Sequence, residues 1–413
     1  MPKDLIKILI IGSVWPEPQS TAAGLRMIQL IQEFLKRDYT IRFVCAAQPT
    51  PYSANLNDLN IITENIILND SSFDEQLKIW QPDIVIFDRF MTEEQYGWRV
   101  SENCPDAVKI LDTEDLHFLR KARETAFKEN RYLVFKDYFS TMFYREMAAM
   151  LRCDISLIIS EFEYKLLTET FSVNPEALAY LPFFSETISD KDAMRMSGFI
   201  ERKNFMTIGN FMHEPNWQSV LKLHKIWGEI KKVLPDSELH VYGSYVTPKA
   251  EQLHNPKIGF YIKGRAESVE KVMQEYRVCL APIPFGAGLK GKLLDAMKNG
   301  LPSVTTPIGA ESMCGKLDWN GLVCENDDDF IEKAVTLYNN EKIWNQSIEN
   351  GFKIVNTVFA AHTHIESFFK QLEVLQNDLK KHRNQNFIGQ ILQYHTVQST
   401  KYLSKWIEEK NRK

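Results

Sequence analysis

Residues 285–306 read FGAGLKGKLLDAMKNGLPSVTT. They follow an apolar run, YRVCLAPIP (276–284), so the stretch sits at the carboxyl end of a predicted strand. Phe285-Gly286-Ala287-Gly288 turns the chain, and a helix is predicted to begin near Leu289. Gly286 and Gly288 permit positive φ and a close backbone approach. The first amides of a helix have no partner within it and favour an anion. Lys290 and Lys292 add compact positive charge suited to a diphosphate. Gly300 and Pro302 end the helix and open the next strand. A plain strand–helix turn with solvated lysines would be written with the same letters.

Working outward, the chain alternates strand and helix patterns. In the first half IKILIIG (6–12), YTIRFVCAA (39–47), DIVIFDR (83–89), AVKILDTED (107–115) and DISLIIS (154–160) read as strands. A helix from about Thr21 to Arg37 carries Leu25, Ile28, Ile31 and Leu35 on one face. The alternation restarts with NFMTIGNF (204–211), SELHVYGS (237–244), GFYIKGR (259–265), the 276–284 run, PSVTT (302–306) and GLVCEN (321–326). Near-continuous apolar strands between helices predict parallel sheets covered on both faces. The fold expected is α/β: two doubly wound, Rossmann-like domains, residues 1–190 and 191–362, facing a cleft, then a helical basic tail, 363–413. Such sheets bind ligands beyond the carboxyl ends of their strands, which puts the site in the cleft.

Composition agrees with a two-domain globular chain. Its 413 residues exceed one ordinary core, and 44% apolar with 25% charged residues excludes disorder of the whole. No run approaches the length of a bilayer span. The N-terminal MPKDLIKILIIGSVWPEP reads as a buried strand, since Lys7 interrupts its apolar run and Trp15-Pro16 stands where a cleavage site would be. Six cysteines are scattered with no C-x-x-C pair, arguing against zinc or a disulfide framework and fitting a reducing cytoplasm. The net charge of −5 hides a tail, Lys380–Lys413, of about +6.

The segment 285–313 resembles the donor-binding stretch of family 4 (group 1) glycosyltransferases of the GT-B fold. Their pattern is a glycine-rich turn, a basic residue, then K-x-x-E-A-M-x-x-G-x-P-V-V-x-T. TIGNFMHEPNWQSV (207–220) is similar to the opening of their donor domain, and LIISEFEYKLL (157–167) to the close of their acceptor domain. The resemblance spans most of residues 1–365. It implies a nucleotide-diphosphate sugar as co-substrate, no other cofactor, and a retaining transfer without metal. It also implies that Asp295, in LLDAM, contacts the ribose hydroxyls, that Lys290 and Lys292 hold the diphosphate with Gly288 amides, and that Gly209, Asn210 and Gly243 border the nucleotide. Leu289 completes the turn. Where the family carries a glutamate eight residues before its E-A-M acid, this chain has Ala287.

In the first half SVWPEPQSTAAGL (13–25) links the first strand to its helix. Small residues there, Ala23 and Gly24 among them, would let a ligand reach the helix N-terminus; Ser20 or Thr21 would otherwise simply cap it. The run is not G-x-G-x-x-G, which disfavours a nicotinamide dinucleotide. FDRFMTEEQ (87–95) and LDTEDLHFLR (111–120, preceded by Ile110) place Asp88, Arg89, Asp112, Glu114, Asp115 and His117 at strand ends. His117 best matches the histidine that family 4 enzymes set near the donor sugar; Asp115 is a candidate polariser of the acceptor hydroxyl, and Lys292 stabilises the leaving group. Asn216 is a helix cap or turn residue, or a donor-phosphate contact. The acceptor is open: glycan, protein, metabolite or RNA. In the tail Phe387, Ile391, Tyr394, Leu403, Trp406 and Ile407 make an amphipathic pattern read as docking on the first domain, with an acidic partner or a membrane surface as alternatives. Two other functions fit the letters, a nucleotide-sugar 2-epimerase and a non-catalytic nucleotide-sugar or nucleic-acid binder.

Overall fold

The computed structural model describes residues 5–412. Seven strands, β1 (Lys7–Gly12), β2 (Thr40–Cys45), β3 (Ile62–Asn65), β4 (Ile84–Asp88), β5 (Val108–Asp112), β6 (Ile155–Ile158) and β7 (Leu178–Tyr180), form one parallel sheet in the order β3-β2-β1-β4-β5-β6-β7. Six more, β8 (Lys203–Ile208), β9 (Leu239–Tyr242), β10 (Phe260–Gly264), β11 (Tyr276–Ala281), β12 (Ser303–Thr305) and β13 (Gly321–Val323), form a second parallel sheet, β10-β9-β8-β11-β12-β13. In each, the strand order reverses beside the first strand, between β1 and β4 and between β8 and β11. The loops that leave those four strands are therefore the ones splayed apart to make room for a ligand.

Central strands are apolar because both faces are covered: every residue of β4 and β5 is buried. Two strands are not evident from the sequence, one for want of burial and one for want of length. Edge strand β3 is ITEN, with no buried residue, and β7 has three residues. The helix after the glycine turn runs Gly291–Lys298, two residues later than predicted, because Lys290 occupies the cap position and its carbonyl accepts from Leu293 and Leu294.

The chain crosses between domains twice, and its last helices return to the first sheet. Ala361–Asn377 buries Ile365, Phe368, Leu372 and Leu375 with Ile8, Ile10 and Phe34. Between it and the last helix, Arg383 pairs with Asp154 and donates to the carbonyls of Pro105 and Ala107, clamping the amino ends of β5 and β6. Phe387–Asn411 then lies against helices Phe90–Asn103 and Thr141–Arg152. Its contacts there are polar: Ser404 with Asn69 and Arg99, Glu408 with Ser71, Lys401 with Glu102, Gln393 with Ser101. The amphipathic pattern assigned to docking is thus corrected, since Phe387 (62% exposed), Tyr394 (68%) and Trp406 (60%) face away from the domain, with Ile391 and Leu403.

Candidate functional site

A cleft of about 570 Å³ lies between the two sheets at the carboxyl ends of their strands. The loops leaving β1, β4 and β5 wall one side, and those leaving β8, β9 and β11 the other. Two helix N-termini meet across it. Ala22–Leu35 begins after Thr21, whose Oγ1 accepts from the Gly24 amide at 3.0 Å, and Gly291–Lys298 begins opposite. A Cβ on Gly291 would come within 2.7 Å of the Ala22 Cβ, so the two starts are in contact. The partial positive charge of both helix ends is directed at the same small space.

On the second-domain wall, Lys292 Nζ donates to Asn216 Oδ1 at 2.7 Å and lies against Gly209. Asn216 Nδ2 in turn donates to the Asn210 carbonyl. Asn216 does not cap its helix: it lies in the first turn of Glu214–Val233, where His213 holds the cap position. Burial pushes Lys292 down to about 8, as expected of a partly desolvated ammonium with no carboxylate beside it. Lys290 is also pushed down to about 8 by burial, but its ammonium is tied to the loop, donating to the carbonyls of Gly288 at 2.7 Å and Ala287 at 3.3 Å. Asp295 lines the cleft one helical turn beyond Gly291, 3.7 Å from Lys298, and burial raises its carboxyl.

Two glycines assigned to the donor do not border the cleft. Gly24 packs on the loop before it: a Cβ there would fall 2.4 Å from the Glu17 nitrogen. Gly288, at φ +59°, sits against Asp115, and its amide donates to Glu163 Oε1 at 2.8 Å. That amide is engaged and does not serve as a diphosphate donor. The remaining assigned residues, Ala23, Gly209, Asn210, Asn216, Gly243, Leu289, Lys290, Lys292, Asp295, Asp115 and His117, all line the cleft. Ala287 is buried and packs with the first domain's core.

On the first-domain wall, His117 starts helix His117–Lys128. Its Nδ1 is 3.2 Å from Glu146 Oε1, and the same carboxylate accepts from the amides of His117 and Phe118. A carboxylate only accepts, so Nδ1 carries a proton, and Nε2 is the ring nitrogen that Glu146 does not engage. Burial would raise Asp115, but nearby positive charge, chiefly the Arg120 guanidinium at 3.4 Å, holds the carboxyl below its ordinary range. Arg120 also donates toward His213 Nε2 at 3.2 Å; burial, helped by that guanidinium, pushes His213 down to about 4, so its ring is neutral. Among the described residues no group of three or more His, Cys, Asp or Glu is placed to hold a metal ion.

The domains also touch outside the cleft. Arg123 pairs with Glu311 through two bonds of 2.8 and 2.7 Å and donates to the Gly286 carbonyl, while Phe127 packs on Phe285. Tyr245 reaches Glu17, and Ser312 accepts from the Phe162 amide. Glu146, Glu163, Arg123 and Arg26 were not singled out from the sequence. A signal existed for three of them: Arg26, Glu146 and Arg123 are charges on the buried stripe of an amphipathic helix, where an apolar residue is the default.

Comparison with known proteins fits this geometry. Residues 202–340 match the family model of glycosyl transferases group 1. A curated relative, an uncharacterized 44.6 kDa protein in the cps region of Klebsiella pneumoniae, is 25% identical over 177 residues, 41% of this chain. The match spans 45% of that protein, so the chain covers less than half the length of the curated relative it matches. Among solved structures, Anabaena HepE in complex with UDP and glucose superposes with a TM-score of 0.68 at 12% identity, over 90% of this chain and 100% of that one. Sucrose-phosphate synthase from Thermosynechococcus elongatus gives 0.67 at 12%, over 90% and 99%. A glycosyltransferase from Rickettsia africae gives 0.64 at 12%, over 92% and 100%. These three likenesses are of fold. They place the chain in the GT-B fold, and residues 202–340 of its second domain are the stretch that matches the group 1 glycosyl transferase model.

Proposed function

We propose that the protein transfers a sugar from a nucleoside-diphosphate donor to an acceptor hydroxyl, with retention and without a metal ion. The observation that carries this is the meeting of two helix N-termini beside the Lys292 ammonium. The diphosphate lies against the amides of Gly291 and Lys292, beside the point where Ala22–Leu35 begins, with Lys292 moving from Asn216 onto phosphate oxygen. Asp295 accepts from the ribose hydroxyls, and Gly209, Asn210 and Gly243 flank the nucleoside. HepE was solved with UDP and glucose, which makes a uridine nucleotide the first donor to try.

His117, its Nδ1 fixed by Glu146, offers Nε2 to a hydroxyl of the donor sugar. In the transfer, the acceptor oxygen bonds to the anomeric carbon on the face the diphosphate leaves. The bond from that carbon to phosphate oxygen breaks with its electron pair, and the departing phosphate takes the hydroxyl proton. Fixed amides and an ammonium stabilise the charge that grows on the leaving group, a term of several kcal/mol in a site shielded from water. The test is a thermal-shift screen of UDP-, GDP- and ADP-sugars. A true donor at a hundred times its Kd adds about 2.7 kcal/mol of stability, and its slow hydrolysis disappears in Lys292→Ala. A protein that binds none of these nucleotides refutes the reading.

A further inference from the structure

The first-domain wall carries a second polar feature that donor binding leaves unused. β4 and β5 end side by side in Asp88 and Asp112, which are paired in register, and the chain continues from β5 into Thr113 and Glu114. Arg26 Nε bonds to Asp112 Oδ1 at 3.3 Å, Arg89 Nε stands 3.9 Å from Asp88, and Arg120 pairs with Asp115. Glu114 is left over. It lines the cleft, is 8% exposed, and its Oε1 is buried with no hydrogen-bond partner among the described residues. Asp112 Oδ2 and Arg26 Nη2 beside it are likewise buried without partners. A buried carboxyl left unsatisfied costs free energy, so a wall that keeps one facing a cleft is built for a ligand that satisfies it.

The charges of this wall say what that ligand is. Asp88, Asp112, Glu114 and Asp115 are matched by Arg26, Arg89 and Arg120, and each arginine already stands against an acid. A phosphate or carboxylate on the acceptor would find each of these cations already opposed by acids, Arg89 by Asp88, Glu114, Asp115 and Asp112 together, and would meet an acidic neighbour. Burial and the Asp112 carboxylate push Glu114 up to about 8, so near neutral pH it is largely protonated, able both to donate and to accept. That is the hydrogen-bonding inventory of a sugar hydroxyl. We propose that Glu114 binds a hydroxyl of the acceptor, and that the acceptor is a neutral, hydroxyl-rich glycan. This rests on the donor reading above, which assigns the opposite wall to the nucleotide.

The test measures saccharide binding to the UDP-loaded full chain by saturation-transfer NMR titration. The probes are neutral methyl glycosides of glucose, galactose and N-acetylglucosamine against glucuronate and glucose 6-phosphate. The expected result is that at least one neutral glycoside binds more tightly than both anionic sugars. Glu114→Ala then weakens it about tenfold or more, and Glu114→Gln, which keeps a donor and an acceptor, recovers most of that loss. UDP affinity is titrated in every variant. If wild-type protein does not bind UDP or any nucleotide sugar, the donor reading fails. If UDP binds but the anionic sugars bind more tightly, no neutral glycoside binds, or Glu114→Gln and Glu114→Ala both bind neutral glycosides as wild type does, this proposal is overturned. Where Glu114→Ala fails to fold, Glu114→Met, which fills the space without a hydrogen-bonding group, takes its place in the same comparison, and wild-type glycoside binding by Glu114→Met overturns the proposal.

Discussion

The two walls of the cleft are made in the same way, parallel strands running into helices, and differ in how their charges are settled. On the second-domain wall Lys292 has only an amide oxygen for company, and the N-terminus of its helix is open. On the first-domain wall three arginines stand against acids, and the group left over is a carboxyl. Unpaired charge is costly to bury, so each wall keeps only what its ligand will later satisfy. On the proposed reading, one wall keeps a cation for an anion and the other a polar acid for hydroxyls.

The comparison breaks most simply at Lys292. Lys292→Ala removes its one ammonium aimed at the leaving group and lowers kcat/KM by about 10²–10³-fold, read by steady-state release of nucleotide. An effect within threefold would mean that the helix amides alone settle the charge. On the opposite wall, Glu146→Gln can no longer act as an acceptor-only partner for three N–H groups. We expect kcat to fall about 10–100-fold with donor KM changed far less, and stability to drop by about 1–3 kcal/mol, measured by kinetics and thermal unfolding together. Equal losses in kcat and KM would place His117 in ground-state binding instead.

pH sharpens the contrast further. The amine of Lys292 is pushed down to about 8 in the free protein, and diphosphate binds its protonated form. Donor affinity therefore holds below about pH 8 and falls by up to about tenfold per pH unit above it, a slope that calorimetry finds in wild type and loses in Lys292→Ala. The smallest expected effect is at Asp295. Asp295→Asn removes a charged acceptor for ribose and weakens UDP by about 5–10-fold, near 1 kcal/mol, with little change for the diphosphate portion alone.

Much of this was legible in the letters. Paired apolar runs and the glycine turn at 286–288 gave both domains and the cleft, because strand patterning and helix punctuation are local. What failed was non-local. Gly288 reads as a phosphate-loop glycine, but its amide is claimed by Glu163 from the other domain, 125 residues away. Gly24 reads as a small residue near a ligand, but it is small because the Glu17 backbone passes over it. The tail's aromatic stripe reads as an anchor because burial is the default for such residues, yet the helix holds on through Ser404, Glu408 and Gln393. A charge on a buried stripe, as at Glu146, is the one mark of a distant partner that a sequence shows.

Helix Ala361–Asn377 supplies Phe368 and Leu372 to the core around Phe34, and this has a consequence for biosynthesis. The domain that leaves the ribosome first lacks an apolar layer until roughly 180 more residues have followed β7, a delay on the order of 10–40 s at synthesis rates of ~5–20 residues per second. Meanwhile the second domain, complete within its own stretch of chain, is free to fold ahead of it. The half made first is finished last, and a nascent chain of this protein carries an uncovered greasy flank that chaperones have time to find.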